Sequence, residues 1–182
     1  MAESLHLLAL ETRSYQVTTS SPPNTDITSD DLDGAVHTSR GVCCRFFDLG
    51  NGWGVKLFPG ERFRDYAMEN QEVAFEAGIA PSVGGKVALV GYVAELRGEE
   101  TAFEWGYLTE VAEDIDYLDE GDEDTLRETM CELGFRTGDL HSANTGYVEG
   151  SPVMIDFCPV SLEGWEVGND MFEEEGLDYA CQ

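Results

Sequence analysis

Three polar residues in the last third of the sequence have side chains that could do chemistry. Asp139 is followed five residues later by Asn144, and Asp156 comes twelve residues after that, directly behind the apolar stretch 153–155. A carboxylate such as that of Asp139 can orient an attacking hydroxyl group and accept its proton. An asparagine amide oxygen and a second carboxylate are hard ligands that suit Mg²⁺ on nucleotide phosphates. Residues of these types at this spacing therefore suit phosphoryl transfer.

A lysine inside an apolar segment is the second feature with a chemical meaning. The chain has only two lysines, and Lys56 lies within the segment Gly54-Val55-Lys56-Leu57-Phe58, which is typical of a buried strand. An unpaired ammonium group in such a strand would be costly, so Lys56 is expected to have an anionic partner.

Together these motifs resemble those of the protein-kinase-like superfamily. The loop Gly138-Asp139-Leu140-His141 with Asn144 looks like the catalytic loop of aminoglycoside and choline kinases. The stretch 141–144, followed by Ile155-Asp156 and then by 159–161, is also similar to the small early Ser/Thr protein kinases of short-tailed phages. The resemblance extends over residues 35–161, about two-thirds of the chain.

The resemblance implies a minimal two-lobed fold that binds ATP and Mg²⁺ between its lobes, with Lys56 on the third strand and a hinge near 109–112. Lys56 would contact the α- and β-phosphates and pair with a glutamate of the next helix. Glu72 is favoured for that role over its neighbours Glu69 and Glu76. The implied catalytic residues are Asp139 and Lys56, and the implied metal ligands are Asn144 and Asp156.

The sequence also departs from the kinase pattern. The segment 37–42, at the place of the phosphate loop, has a single glycine, so the backbone of Ser39, Arg40 and Gly41 is expected to approach the phosphates less freely. Thr137 and Gly138 occupy the positions of the usual His and Arg before the catalytic Asp. Only 24 residues follow Cys158. We therefore expect a truncated C-terminal lobe.

Apolar patterns and turn signals predict an α+β fold with a small antiparallel sheet. Strands are predicted over 42–49 and 53–58, joined by the turn Gly50-Asn51-Gly52, and over 87–96 and 102–111, joined by a turn over 97–100. Helices are predicted over 61–77 and 125–133, closed by Gly78 and Gly134, and short strands over 135–160. The predicted organisation is an N-terminal extension and loop (1–34), a kinase-like domain (35–161) and an acidic C-terminal tail (162–182).

The charge of the chain restricts its partners. There are 37 Asp and Glu residues against 10 Lys and Arg, which gives a net charge of −27. Such a surface repels phosphate backbones and anionic lipids, so neither direct nucleic-acid binding nor membrane binding is expected. The acid-rich run 113–124 is predicted to be a solvated connection, with docking onto a basic partner as the alternative. The start of the chain has no apolar stretch of signal-sequence length, so a cytoplasmic protein is expected, with its five cysteines as reduced thiols.

Two functions of different class follow from these features. The first is an ATP- and Mg²⁺-dependent phosphotransferase, a phage-encoded Ser/Thr protein kinase that acts on host proteins in the host cytoplasm. The second is a catalytically weak kinase-fold protein whose acidic surface binds and inhibits a basic host protein, such as an RNA polymerase or a nuclease. Adaptation to a salty habitat would equally explain the acidity and the scarcity of lysine.

Overall fold

A five-stranded antiparallel sheet is the centre of the fold. The computed structural model describes residues 27, 29–35, 37–40, 44–89, 91–96, 99–113, 115–138 and 140–158. The sheet strands are β1 (His37–Arg40), β2 (Arg45–Asp48), β3 (Trp53–Phe58), β4 (Val83–Ala88) and β7 (Trp105–Glu110), in the order β1-β2-β3-β7-β4. The pair β5 (Val93–Leu96) and β6 (Glu99–Ala102) forms a separate two-stranded sheet. The α+β class with a small antiparallel sheet is thus confirmed.

The hairpin β2–β3 forms where the turn signal predicts it. Gly50 and Gly52 both have positive φ, 77° and 82°, a conformation that glycine adopts without steric cost. Strand β3 has the predicted bounds, and all six of its residues are buried. β3 is therefore a central strand that pairs with β2 on one side and with β7 on the other.

Helix α2 (Glu61–Glu76) follows β3 and packs on the sheet. Its buried residues Phe63, Ala67, Gln71 and Ala74 recur at the helical period and so form one face. Gly78, with φ 80°, ends the helix; its N–H bonds to the carbonyl of Phe75. The helix predicted over 61–77 and its glycine terminator are both confirmed.

Two predicted long strands are each divided in the structure. The segment predicted as one strand over 87–96 contains the end of β4, a break at Gly91 and then β5. Gly91 has φ 89°, which is incompatible with an extended strand. The segment predicted over 102–111 likewise contains the end of β6 and then β7. The prediction of two continuous strands was therefore wrong. Of the four strands in these segments, β4 and β7 belong to the five-stranded sheet, whereas β5 and β6 form the separate pair.

Helices α1 (Ser29–Asp33) and α3 (Glu120–Glu132) correct two further expectations. α1 lies within the stretch predicted as loop, and its Leu32 is buried in the core. α3 starts five residues before the predicted helix, inside the acid-rich run. Glu120, Asp122 and Glu123 occupy its first turn, where the positive end of the helix dipole favours acids.

The hairpin β8 (Thr145–Val148) and β9 (Ser151–Met154) lies near the end of the described chain. Its turn, Glu149-Gly150, has positive φ at both residues, 51° and 79°, as a tight two-residue hairpin loop requires. The Met154 N–H donates to the carbonyl of Ile79, so β9 is tied to the loop behind α2.

The sheet has a buried apolar cluster on each face. Because successive strand residues point to opposite sides, Val55 and Leu57 join one cluster, while Lys56 and Phe58 point to the other. The first cluster includes Leu32 and Phe103, and the second includes residues of α2, α3 and β9. Lys56 is therefore held on the face where α2 and the β8–β9 hairpin meet.

Two findings concern membrane-spanning helices and the cysteines. Within the part of the chain that the structure describes, no helix combines the length and apolar character that crossing a bilayer demands. Cys44 and Cys131 are not part of a disulfide, whereas Cys158 is disulfide-bonded, so the expectation of five reduced thiols was wrong at Cys158.

Candidate functional site

Lys56 is almost completely buried, with 7% of its surface exposed. Its Nζ donates to the Gln71 side-chain oxygen over 2.9 Å and to the backbone carbonyl oxygen of Ile155 over 2.5 Å. It also lies over the rings of Tyr107 and Phe157, 5.6 Å and 5.8 Å from their centroids. The ammonium group thus connects the sheet, α2 and the segment that follows β9.

Gln71 is the partner that α2 supplies. The side chain is fully buried, and its Oε1 accepts from Lys56 and from the Tyr107 hydroxyl, the latter over 2.8 Å. Its Nε2 donates to the Pro81 carbonyl over 3.0 Å and to Thr109 Oγ1 over 2.7 Å. All four hydrogen-bonding positions of the amide are therefore occupied.

The predicted partner Glu72 lies elsewhere. Glu69, Glu72 and Glu76 are all exposed on the outer surface of α2. A helix turns by about 100° per residue, so the neighbour of an inward-pointing residue points away from the sheet. The pairing of Lys56 with a helix glutamate is thus corrected: the α2 side chain in contact with Lys56 is Gln71.

Burial governs the protonation of the groups around Lys56. Burial lowers the pKa of Lys56, and the nearby carboxylate of Asp156 acts in the opposite direction. The Cys44 thiol lies in the same region, and burial raises its pKa to about 12, so it stays protonated at neutral pH. Burial also raises the pKa of Tyr107, which keeps its hydroxyl a hydrogen-bond donor to Gln71. Asp156 is therefore the carboxylate that stabilises the charge of Lys56.

The β8–β9 hairpin brings the two predicted metal ligands to one place. Asn144 immediately precedes β8, and one residue, Ile155, separates the end of β9 from Asp156. Thr145 and Met154 are paired, and the Ile155 N–H donates to the Asn144 carbonyl over 2.8 Å. Asn144 is thus bonded to the residue that precedes Asp156, and that same residue, Ile155, accepts from Lys56.

Short contacts hold the side chains of both predicted ligands. Asp156 Oδ1 accepts from the backbone N–H of Cys158 over 3.0 Å, which fixes the carboxylate in a turn. Asn144 Nδ2 lies 3.2 Å from His141 Nε2. The His141 carbonyl accepts from the Asn144 N–H and from the Thr145 hydroxyl. His141 is therefore a structural hydrogen-bonding residue of this loop.

Asn144 and Asp156 supply only part of the ligand set that Mg²⁺ needs. Mg²⁺ is usually held by one or two carboxylates together with phosphate oxygens and water, so one Asp and one Asn can contribute to such a site. A site made of protein ligands alone would need more such residues close together. Within the described ranges, no group of three or more His, Cys, Asp or Glu residues is placed to hold a metal ion. Asn144 and Asp156 would therefore need phosphate oxygens and water to complete a Mg²⁺ site.

The remaining predicted site residues are placed less fully. Asp139 and Gly41 lie outside the described residues. Ser39 and Arg40 are the last residues of the edge strand β1, where they pair with Phe46 and Arg45 of β2. The expectation that both belong to a loop between strands is thereby corrected.

Several residues around Lys56 were missed by the sequence analysis. Gln71 carries a detectable signal, because Phe63, Ala67 and Ala74 recur at the helical period and position 71 falls on the same face. Tyr107 and Thr109 alternate along β7 and so point to one side of the sheet. Their contact with Lys56 and Gln71 depends on the pairing of β3 with β7, which the sequence pattern does not specify.

Comparison of the chain with protein-family models, with characterised proteins and with solved structures finds no match. The function therefore has to be argued from the geometry around Lys56.

Proposed function

We propose that this chain is an ATP- and Mg²⁺-dependent phosphotransferase. One observation carries the proposal: Lys56 on β3 donates to the Ile155 carbonyl, directly before Asp156, while Asn144 accepts from the N–H of the same Ile155. A buried cation and two potential oxygen ligands for a metal thus converge on one residue, although Lys56 is 99 positions away from Ile155.

Each residue has a definite role in this proposal. Lys56 binds the phosphates of the nucleotide, and Asn144 and Asp156 supply oxygen ligands to Mg²⁺. The metal, when bound, would neutralise negative charge that develops on the transferred phosphoryl group. Asp139, which precedes this hairpin in the sequence, would orient the acceptor hydroxyl and take its proton.

The electrostatics support a phosphate ligand. Lys56 is buried, and its two hydrogen-bond partners are uncharged oxygens, one of an amide and one of a backbone carbonyl. A desolvated cation in such surroundings interacts more strongly with an incoming anion than a solvated one does. We propose a Ser or Thr hydroxyl of a host protein as the acceptor and a phage as the source of the chain, as the resemblance of the catalytic-loop motif suggests.

Thermal unfolding with and without ATP and Mg²⁺ tests the proposal. ATP should raise the melting temperature only when Mg²⁺ is present, because a ligand that binds the folded state alone stabilises it. Asp156→Asn should abolish this shift and leave the protein folded without ligand. The matched control is Asp116→Asn, which neutralises an exposed acid outside the site and should keep the shift. A shift that needs no Mg²⁺, or none at saturating ATP, would contradict the proposal.

A second candidate function is the binding of a basic host protein by the acidic surface. The observation in its favour is the set of exposed acids in and before α3, namely Glu113, Asp116, Asp119, Glu120, Asp124, Glu128 and Glu132. The ion pair that the described residues show on α3 is Glu123 with Arg127, at 2.5 Å. The exposed acids outside this pair form a negative surface that would attract a cationic partner.

Salt and charge neutralisation test this second candidate. Binding of a basic host protein should weaken steeply as the salt concentration rises, because exposed charges are screened. Replacing the acids of 113–124 by Asn and Gln should slow association and leave ATP binding intact. Association that is insensitive to both changes would reject the acidic surface as a docking site.

A further inference from the structure

The amide of Gln71 has an unusual combination of burial and hydrogen bonding. None of the side chain is exposed, yet Oε1 accepts two hydrogen bonds and Nε2 donates two. The two donors to Oε1, Lys56 and Tyr107, are paired neighbours on β3 and β7. The two acceptors of Nε2, Thr109 Oγ1 and the Pro81 carbonyl, lie on β7 and in the loop behind α2. This network links one amide to three elements of the fold.

We propose that Gln71 is the positioning residue of Lys56: its fixed amide oxygen holds the ammonium group against the Ile155–Asp156 segment without neutralising it. This inference rests on the phosphotransferase function proposed above, because it concerns how the phosphate-binding lysine is held. Gln71 itself contacts no substrate in this account and acts only through Lys56.

The hydrogen-bond partners of the amide explain why its oxygen faces Lys56. If the amide were turned over, Nε2 would face the Lys56 ammonium group, which is also a donor, and Oε1 would face the Pro81 carbonyl, which is also an acceptor. Two buried polar contacts would then be lost, and each buried group left without a partner would carry its full desolvation penalty. The contact to the Pro81 carbonyl, which can only accept, thus determines that the oxygen points to Lys56.

The neutrality of Gln71 has a functional consequence. A carboxylate at this position would form an ion pair with Lys56 and cancel much of its charge before a nucleotide arrives. An amide gives the same hydrogen-bond direction and leaves the full positive charge for the phosphates and for Asp156. Lys56 is therefore held by geometry on the α2 side, and the compensating negative charge lies on the side of the β8–β9 hairpin.

The two lysines of the chain make a direct test possible. Isotopic labelling of lysine alone gives NMR signals from Lys56 and from Lys86, which is exposed and paired with Asp65. Gln71→Glu keeps an oxygen towards Lys56 but adds a charge, so it should shift the Lys56 signals and leave those of Lys86 in place. Glu72→Gln, the matched control on the outer surface of α2, should move neither lysine.

The affinity for ATP with Mg²⁺ provides the functional readout. Gln71→Leu removes the hydrogen bond to a charged group, and Gln71→Glu keeps an oxygen towards Lys56 but cancels much of its charge, so the affinity should fall by about tenfold or more in both variants. Because glutamate has nearly the same size and shape as glutamine, a loss of affinity in Gln71→Glu separates the neutral contact to Lys56 from general packing. If Gln71→Leu does not fold, Tyr107→Phe, which removes one neighbour of the same oxygen, replaces it and should still shift the Lys56 signals.

The outcomes separate this inference from the proposed function. Lys56 signals that are unchanged in Gln71→Glu, or that move as much in Glu72→Gln, would overturn the positioning role. If Gln71→Glu shifts the Lys56 signals as expected but the wild-type protein binds no ATP with Mg²⁺, the phosphotransferase proposal is overturned. The structural link between Gln71 and Lys56 is then still supported.

Discussion

At the scale of single residues, Lys56 is the feature on which the account depends. Its position was predicted from one charged residue within an apolar strand, and the structure places it in β3 with the predicted bounds. Its partner could not be predicted with the same ease. Charge favours a glutamate, whereas helix periodicity selects Gln71, and the periodicity decides which side chain reaches the sheet.

Lys56→Met tests the cost of burying this charge. In the folded protein, burial lowers the pKa of Lys56 below its ordinary value of 10.5. At pH values between the pKa of the folded state and that of the unfolded state, the unfolded chain therefore holds more protons than the folded one. The stability of the wild type should therefore rise with pH through that range, while Lys56→Met lacks this rise. Urea unfolding of both proteins at a series of pH values measures the difference.

The stability of Lys56→Met relative to wild type should thus be greatest near neutral pH and decrease as the pH approaches 10.5. The control is Lys86→Met, which removes the exposed lysine. A difference between Lys56→Met and wild type that is constant with pH would show that the burial of Lys56 has no energetic consequence.

At the scale of elements, local signals predicted some parts of the fold well. The glycines that close β2–β3 and end α2 identified their turns, because positive φ is needed there. The acids at the start of α3 were predicted to form a connection, because acidic runs are usually loops, but they occupy the first turn of a helix, where acids are favoured. The division of 87–96 had a signal in Gly91, which the apolar residues around it obscured.

Close packing between β3 and β7 provides the prediction at this scale. A Cβ added at Gly106 would lie 2.5 Å from the carbonyl oxygen of Lys56, so Gly106→Ala must push the two strands apart next to the site. We expect a loss of stability of about 1–3 kcal/mol, as overpacked sites typically show. Equilibrium unfolding in urea measures it.

Gly121 in α3 supplies the opposite case, because a Cβ there meets nothing within 4 Å. Gly121→Ala should stabilise the protein by up to about 1 kcal/mol through the higher helix propensity of alanine. If Gly106→Ala were as stable as Gly121→Ala, the close approach of β7 to Lys56 would be wrong.

At the scale of the whole molecule, the sequence predicted the α+β class and the small antiparallel sheet, but not how its parts come together. The meeting of Lys56 with Ile155 joins residues 99 positions apart, and such a contact depends on strand pairing and helix packing. The resemblance to kinases stays a prediction, because the contact of Lys56 with Ile155 shows how the chain packs and not which family it belongs to.

The proposed function requires that ATP binds with a divalent metal between Lys56 and the Asn144–Asp156 pair. Mn²⁺ in place of Mg²⁺ broadens nearby NMR signals, and lysine labelling yields only the signals of Lys56 and Lys86. With ATP and Mn²⁺ together, the account predicts strong broadening of Lys56 and little of Lys86, and Mn²⁺ without ATP should not reproduce this selectivity. Equal broadening of both lysines, or none at saturating ATP, would contradict the claim.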